Sequence, residues 1–365
     1  MISFALMILI ILLGALIKNK KISAGILAFY MWILLGLGYG NTDYASYENQ
    51  FSYYNTINRS YSISNFGYQA LCRLFYPLGV DYAMFLLIEA AIIIILYYIF
   101  AVRNSKNPYL CLLLVCIYPF IIDCTQVRTF FAAALMITAI SIYANGNGIK
   151  SYIGMLVFLV LAFSIHFSFA AFLVLLLMPL MQRKFIPAWV VIVAFIEVIL
   201  FSNIGRFAPL ITSQTQINRY FEKGVSGLTV IFLIIYFAVM YLPVVITGRH
   251  MDDWFEKGSR ERRFAEIVIK VNILMLIFVP YCFITNDFMR YFRSIFVLNY
   301  AMLINAYCIQ KRTIDYRVSL RRIPVTHGLL LIETAFAAFS NYYYIIHLYY
   351  ESVVLPLFQN NLLIP

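Results

Sequence analysis

Charged residues are scarce in this chain, at 12% of 365 residues, whereas hydrophobic residues make up 63%. A soluble domain carries about 25% charged residues, so the composition excludes an ordinary soluble enzyme or binding protein. The mean hydropathy of +0.85 leads to the same conclusion. No hydrophilic stretch is long enough to fold separately, so we predict a single all-α, polytopic membrane domain over residues 1–365.

Motifs of nucleotide-driven and classical hydrolase chemistry are also missing. The sequence contains no Walker motif, no Rossmann glycine fingerprint, no HExxH and no nucleophile elbow. The six cysteines are scattered, and none forms a CxxC pair or joins a histidine cluster with metal-ligand spacing. We therefore predict no metal and no cofactor, and we interpret the cysteines as small apolar core residues.

Apolar runs account for most of the chain. A membrane-spanning helix needs about 20 apolar residues, and twelve runs are candidates, several of them short. The first run lacks a basic start and a small-residue cleavage site, so we interpret it as a retained span rather than a signal peptide. The runs cover residues 2–17, 22–39, 82–102, 108–122, 129–143, 152–165, 167–181, 186–201, 227–247, 264–284, 291–309 and 325–346.

Basic residues are concentrated in alternate connections between these runs, most of all in residues 249–263 and 310–322. Cytoplasmic loops of membrane proteins are enriched in Lys and Arg, so these connections are predicted to be cytoplasmic. The net charge of +11 follows from this asymmetry and does not indicate a nucleic acid partner. Residues 40–80 then form a large outer loop after the second helix.

Polar residues at the outer ends of the runs are the candidate functional groups. Asp43 and Glu48 follow the second run among tyrosines that include Tyr44 and Tyr47, and the same segment carries Arg73. A carboxylate at this place is suited to act as a general base or to orient a sugar hydroxyl. The tyrosines also fit an interfacial aromatic belt.

Arginines border apolar runs on the outer side. Arg128 follows Gln126 at the start of one run, and Arg290 and Arg293 are three residues apart at the start of another. A guanidinium is costly near the bilayer without a partner, and its planar fork suits phosphate or carboxylate. The arginines therefore indicate an anionic ligand, for which polyprenyl pyrophosphate is a candidate.

Each of these groups also has a structural interpretation. Asp123 is close enough in sequence to pair with Arg128, and Asp287 is close enough to pair with Arg290. His166 stands between two apolar runs, where a lone histidine is often a satisfied core residue. A polar residue at a helix interruption inside the membrane is equally a functional candidate.

Five short motifs occur in order along the chain. They are Gly40…Asp43-Tyr44…Tyr47, Asn65-Phe-Gly67-Tyr68, Gln126-Val-Arg128…Ala132, His166-Phe-Ser168 and Arg290-Tyr-Phe-Arg293. This order resembles the EpsG family, within the broader class of Wzy-like O-antigen and exopolysaccharide polymerases. Two positions depart from the family pattern, because Asn65 replaces a Glu and Thr129 replaces a second Gln.

The resemblance implies a metal-independent glycosyltransferase with a GT-C-like arrangement of helices. It would transfer a glycan from a polyprenyl pyrophosphate carrier onto a carrier-linked repeat unit at the outer face of the bacterial inner membrane. A chain-length regulator would be a partner. The catalytic candidates are Asp43, His166, Arg128 and Arg290, and the substrate-binding candidates are Arg293, Tyr44, Tyr47, Glu48, Gln126 and Arg73.

Three other functions remain open from the sequence. A flippase for lipid-linked oligosaccharides should show inverted repeats and polar residues through the full depth of the bilayer. A GT-C enzyme that uses polyprenyl-phosphate sugars would hold a metal between Asp43 and Glu48. An O-antigen ligase would differ from a polymerase in its acceptor.

The predicted orientation can be tested by cysteine labelling on a cysteine-free background. Ser60→Cys should react with an impermeant maleimide added to whole cells, because residues 40–80 are predicted to be outside. Ser319→Cys should react only after the membrane is opened. Labelling of Ser319→Cys but not Ser60→Cys in intact cells would reverse the topology.

Overall fold

The structure is a computed structural model, and it describes residues 2–56, 65–202, 226–313, 325–343 and 349–362. Helices dominate these residues and no strand occurs among them, so the all-α prediction is confirmed there. The helices are α1 (Ile2–Leu16), α2 (Lys20–Gly36), α3 (Tyr44–Thr56), α4 (Phe66–Phe75), α5 (Tyr82–Asn104), α6 (Pro108–Ile117), α7 (Phe120–Asp123), α8 (Val127–Asn145), α9 (Gly148–Ile165), α10 (Ile186–Ser202), α11 (Gly227–Arg249), α12 (Met251–Trp254), α13 (Arg260–Met275), α14 (Val279–Cys282), α15 (Met289–Thr313), α16 (Val325–Ser340) and α17 (Leu355–Gln359).

Six helical segments in the described residues are long and apolar enough to cross a membrane, so the chain is a multi-pass membrane protein. Shorter apolar helices cover Ala5–Leu16 and Pro108–Ile117, and a 3-10 segment covers Phe167–Leu180. The predicted count of twelve and the GT-C-like arrangement stay predictions. The six segments are Tyr82–Asn104, Val127–Asn145, Gly148–Ile165, Gly227–Arg249, Arg260–Cys282 and Met289–Gln310.

The predicted run 108–122 is two helices rather than one. Asn107 caps α6, since its Oδ1 accepts the N–H of Leu110 at 3.1 Å. The helix ends at Ile117, and Tyr118 is extended before Pro119. Proline disfavours a helical residue before it and has no N–H to donate, so the chain restarts as α7 at Phe120.

Residues 40–80 were predicted as an outer loop. The described part of this segment contains two helices, α3 and α4. In α3, Tyr47 and Phe51 are buried at 7% and 1% exposure, one helical turn apart. In α4, Tyr68 and Cys72 are both at 0%. The ring of Phe51 lies 4.8 Å from that of Phe85 on α5. The tyrosine-rich segment is therefore partly core and not only an interfacial belt.

The chain divides into two compact units, one of residues 1–173 and 300–365, the other of residues 174–299. In the first unit, α2, α5, α6, α8 and α9 pack together. A polar network joins the ends of α5 and α8, where Asn104 donates to Ser141 and accepts from Asn145, both at 2.8 Å. Asn305 donates to the backbone oxygen of Asn104 at 2.8 Å.

A late segment of the first unit is joined to the chain just before α3. Thr42 donates to the backbone oxygen of Ser352 at 2.9 Å, and the N–H of Tyr39 donates to the oxygen of Asn360 at 2.9 Å. An isolated β-bridge between Gly38 and Asn361 completes this contact. The residues that precede α3 are thereby held by the late segment through several hydrogen bonds.

In the second unit, ion pairs join Arg183 and Arg262 to Asp252 at 3.0 and 2.6 Å. Hydrogen bonds from Arg183 and Arg262 hold the pKa of Asp252 at about 2, so the carboxylate stays charged at neutral pH. The sequence places Arg183 and residues 249–263 on the same side of the membrane, and this contact agrees. Residues 314–322 of the other basic connection, together with Ser60 and Ser319, lie outside the described residues.

Candidate functional site

Arg128, in the first turn of α8, is surrounded by tyrosines of α3 and α4. Its Cζ lies 4.9 Å from the ring centroid of Tyr47 and 5.3 Å from that of Tyr68. The guanidinium also interacts electrostatically with the hydroxyls of Tyr47 and Tyr54. Each cation–π contact contributes about 0.5–2 kcal/mol. We call Arg128, Tyr47, Tyr54, Tyr68 and the nearby Glu89 the Arg128 cluster.

Glu89 is the acidic member of the Arg128 cluster and lies within the apolar helix α5 at 3% exposure. Neither of its carboxylate oxygens has a hydrogen-bond partner among the described residues, and the same holds for the Tyr68 hydroxyl and Nε of Arg128. The guanidinium attracts the carboxylate electrostatically. Leaving a buried polar group unsatisfied costs about 1–3 kcal/mol, and more for a charged group. These groups are thus retained at a cost in stability.

The sequence analysis missed Glu89, although a signal was present. An ionisable residue inside a membrane-spanning run is a functional candidate by default, and Glu89 interrupts the run 82–102. Glu333 on α16 carries the same signal. It is 2% exposed, and neither carboxylate oxygen has a partner among the described residues.

Aromatic packing places α3 and α4 against α5. Tyr82, Phe85 and Glu89 lie on one face of α5, because residues three and four apart share a face. The ring of Tyr82 meets that of Tyr44 edge-on at 5.0 Å, and Phe85 meets Tyr68 edge-on at 5.9 Å. The face that carries Glu89 is therefore covered by the two helices that supply the tyrosines.

The beginning of α4 joins the Arg128 cluster to the end of α9. The Oδ1 of Asn65 accepts the N–H of Phe167 at 3.0 Å, and Asn65 has a left-handed backbone with φ 63°, which asparagine tolerates better than most residues. A Cβ on Gly67 would stand 2.2 Å from Oγ of Ser164, so only glycine permits this approach. At the position where the family has Glu, Asn65 serves as a structural hydrogen-bond acceptor.

His166 ends α9, and its ring is bonded through Nδ1. The Oγ of Ser168 lies 2.7 Å from Nδ1, and the backbone N–H of Ser168 donates to the same atom at 3.3 Å. Because a backbone N–H can only donate, Nδ1 accepts, and a neutral imidazole then carries its proton on Nε2. His166 is therefore oriented as a hydrogen-bond donor through Nε2.

Asp43 directly precedes α3 and is half-buried. Its backbone oxygen accepts the N–H of Tyr47 at 3.0 Å, and its carboxylate acts electrostatically on the Tyr47 hydroxyl. Burial raises the pKa of Tyr47 above its usual value, so the hydroxyl is neutral. Asp43 thus lies beside the Arg128 cluster. Glu48, which directly follows Tyr47 in α3, is exposed.

Two other predicted residues also lie in the first unit. Gln126 precedes α8, and its N–H donates to the backbone oxygen of Asp123 at 3.0 Å. Nε of Arg73 donates to the backbone oxygen of Tyr54 at 3.0 Å, which joins the ends of α3 and α4. The partners of Arg128 come from α3, α4 and α5 and not from Asp123, so the sequence-local pairing is not the one adopted.

Arg290 and Arg293 belong to the second unit. Arg290 donates to Oδ1 of Asp287 at 2.6 Å and to its backbone oxygen at 2.8 Å, so the predicted local pair forms. Arg293 is 8% exposed. Their role as phosphate ligands stays a prediction.

The fold and the site define a multi-pass helical membrane protein with an arginine, tyrosines and a buried carboxylate clustered at one end of its first unit. The chain matches the EpsG family over residues 21–345 and belongs to that family. No curated protein and no solved structure matches it. The family prediction is confirmed, and with it the general class of polysaccharide-polymerase-type membrane proteins.

The close approach at Gly67 leads to a prediction on stability. Gly67→Ala should lower the free energy of unfolding by about 1–3 kcal/mol, because overpacking forces α4 away from α9. Adding Ser164→Gly should recover part of this loss, since it removes the Oγ and Cβ atoms that the new methyl group would meet. Thermal unfolding of the purified protein in detergent measures both effects.

The matched control is Gly328→Ala in α16, where an added Cβ meets no atom within 4 Å. This helical position should gain about 0.5–1 kcal/mol from the substitution. Equal stability of the wild-type protein and Gly67→Ala would contradict the tight contact between α4 and α9.

Proposed function

We propose that this protein is a polysaccharide polymerase of the outer face of a bacterial inner membrane. It transfers a glycan from a polyprenyl pyrophosphate carrier onto the non-reducing end of a carrier-linked repeat unit. Family membership supports the class of reaction. The observation that carries the proposal is the convergence at Arg128 of motifs that are far apart in the sequence.

Arg128 holds the carrier pyrophosphate in this proposal. The rings of Tyr47 and Tyr68 contact the guanidinium, and Tyr54 interacts with it electrostatically, so its position is restrained. Nε has no hydrogen-bond partner among the described residues, so donor capacity is left for a phosphate oxygen. As the pyrophosphate leaves, negative charge develops on its bridging oxygen, and a fixed guanidinium stabilises that charge. Arg290 and Arg293 are proposed to contact the second carrier.

The reaction forms a bond from an acceptor hydroxyl oxygen to the anomeric carbon of the donor. The bond from that carbon to the pyrophosphate oxygen breaks, and the electron pair leaves with the pyrophosphate. The hydroxyl proton needs an acceptor, for which Asp43 and His166 are the candidates. The Nδ1 bonds of His166 favour Asp43 as the base, with Nε2–H of His166 donating to substrate oxygen.

Exchange of Arg128 tests the phosphate role. Arg128→Lys keeps the charge but loses the bidentate fork, so polymer formation should fall about 10²–10³-fold, as when an oxyanion donor is removed. Polymer is measured with purified protein and carrier-linked repeat units. Arg183→Lys, an exposed residue paired with Asp252, is the matched control and should polymerise normally. Normal polymer length and amount from Arg128→Ala would rule out the role.

Exchange of Asp43 and His166 tests the proton transfer. Asp43→Asn preserves shape and removes the base, so single repeat units should accumulate while long chains disappear. His166→Gln keeps a donor and should cause a smaller loss. The matched pair is Asp253→Asn and His250→Gln, an exposed Asp and His 3.2 Å apart, and both should leave polymer length unchanged.

The same assay with added chelator distinguishes the metal-dependent rival. The proposed reaction should continue at an unchanged rate. Loss of polymer with chelator and recovery with a divalent metal would favour a GT-C enzyme with Asp43 and Glu48 as ligands. If both Asp43→Asn and His166→Gln polymerise normally, neither residue accepts the proton of the acceptor hydroxyl, and another group must do so.

A further inference from the structure

Glu89 is a buried ionisable residue to which the proposed mechanism assigns no role. It stands in the membrane-spanning helix α5 with 3% of its surface exposed, and neither carboxylate oxygen has a hydrogen-bond partner among the described residues. The adjacent Tyr68 hydroxyl shares this condition. An unsatisfied buried polar group is costly, and ionisable residues inside membrane spans are characteristic of functional sites.

The chemistry of Glu89 limits what it can bind. In its ionised form, which hydrogen bonds from a ligand would stabilise, the carboxylate accepts hydrogen bonds and donates none. A ligand of this form must therefore carry an O–H or N–H group. An ionised pyrophosphate offers only acceptor oxygens, and its negative charge is repelled. A polyprenyl chain offers no polar hydrogen. Among the parts of the proposed substrate, only the sugars provide such donors, as hydroxyl or amide groups.

The position of Glu89 limits which sugar it can reach. The carboxylate is attracted by Arg128, and both act on Tyr68, which packs against Phe85 on the same face of α5. If Arg128 holds the pyrophosphate, the group beside it is the sugar attached directly to that pyrophosphate. The Tyr68 hydroxyl is placed to take part in the same contact.

We propose that Glu89 binds a hydroxyl or amide hydrogen of the sugar attached directly to the carrier pyrophosphate. This inference rests on the proposed function. The Arg128 cluster then recognises the part of the substrate where the first sugar joins the pyrophosphate. The guanidinium of Arg128 binds the phosphate, and the carboxylate of Glu89 binds the sugar. Repulsion between Glu89 and phosphate keeps the two groups in this order, so bare carrier pyrophosphate binds less favourably than a carrier that bears a glycan.

Binding of two lipids to purified protein tests the proposal. The probes are undecaprenyl pyrophosphate and the carrier-linked repeat unit extracted from a strain that lacks this gene. The wild-type protein should prefer the glycosylated lipid. Glu89→Met should reduce this preference about 10-fold or more, the value of a hydrogen bond to a charged group, with affinity for the bare carrier unchanged or higher. Glu89→Gln should reduce the preference less.

Thermal unfolding separates substrate binding from a structural role. The Glu89 carboxylate is buried and has no hydrogen-bond partner among the described residues, so its replacement with methionine should maintain or raise the melting temperature. Glu333→Met is the matched control, because Glu333 is equally buried and interacts with Tyr300 rather than Arg128. This variant should change stability in the same direction and leave the preference for the glycosylated lipid intact.

The outcomes that overturn the proposal are distinct from failure of the proposed function. If the wild-type protein polymerises repeat units and both Glu89 variants keep its lipid preference, the inference about Glu89 is wrong. A lowered melting temperature of Glu89→Met with unchanged preference would assign Glu89 to structure. If the wild-type protein neither binds the carrier lipids nor forms polymer, the proposed function itself fails.

Discussion

The contact of the Arg128 guanidinium with tyrosine rings is the interaction on which the first unit depends. A charged group at the start of an apolar helix requires partners, and Tyr47 and Tyr68 supply them from α3 and α4. Those helices are fixed in turn by the aromatic face of α5. The polar network around Asn104 lies at the opposite ends of α5 and α8, so both ends are polar and the length between them is apolar. The candidate functional residues of the first unit lie towards one end of these helices, as the cost of polar side chains within the bilayer favours.

The helical class and the positions of most helices were predictable from the sequence, because apolar runs in a membrane have few alternatives to helix. Helix lengths were less predictable. Hydropathy does not register the break at Pro119, which depends on backbone sterics, or the 3-10 geometry of Phe167–Leu180. The segment 40–80 was predicted as a loop because it is a polar stretch between two apolar runs, and its tyrosines fitted an interfacial belt. Only the packing of Phe51 on α5 distinguishes these two roles.

The candidate site was predictable in part. Arg128 and Arg290 each had an Asp close in the sequence. The structure brings Arg128 beside Tyr47 and Tyr68 instead, whereas Arg290 forms the local pair with Asp287 that its spacing allowed. Glu89 was not predicted, because the candidate residues were those at the ends of the apolar runs and Glu89 lies inside one. The tyrosine partners of Arg128 could not be derived, since they come from α3 and α4, which are placed by aromatic packing on α5.

The hydrogen bond between Thr42 and Ser352 joins residues 310 positions apart in the chain. Synthesis and membrane insertion proceed from the N-terminus, so the segment before α3 emerges early and lacks this partner until Ser352 has been made. Asp43 is next to this contact, and its surroundings are therefore completed only after the late segment has been made. A chain that stalls before the late segment would contain α2, α3 and the arginine but would lack the contact that fixes the entry to α3. The geometry around Asp43 is thereby coupled to synthesis of a segment about 300 residues further along the chain.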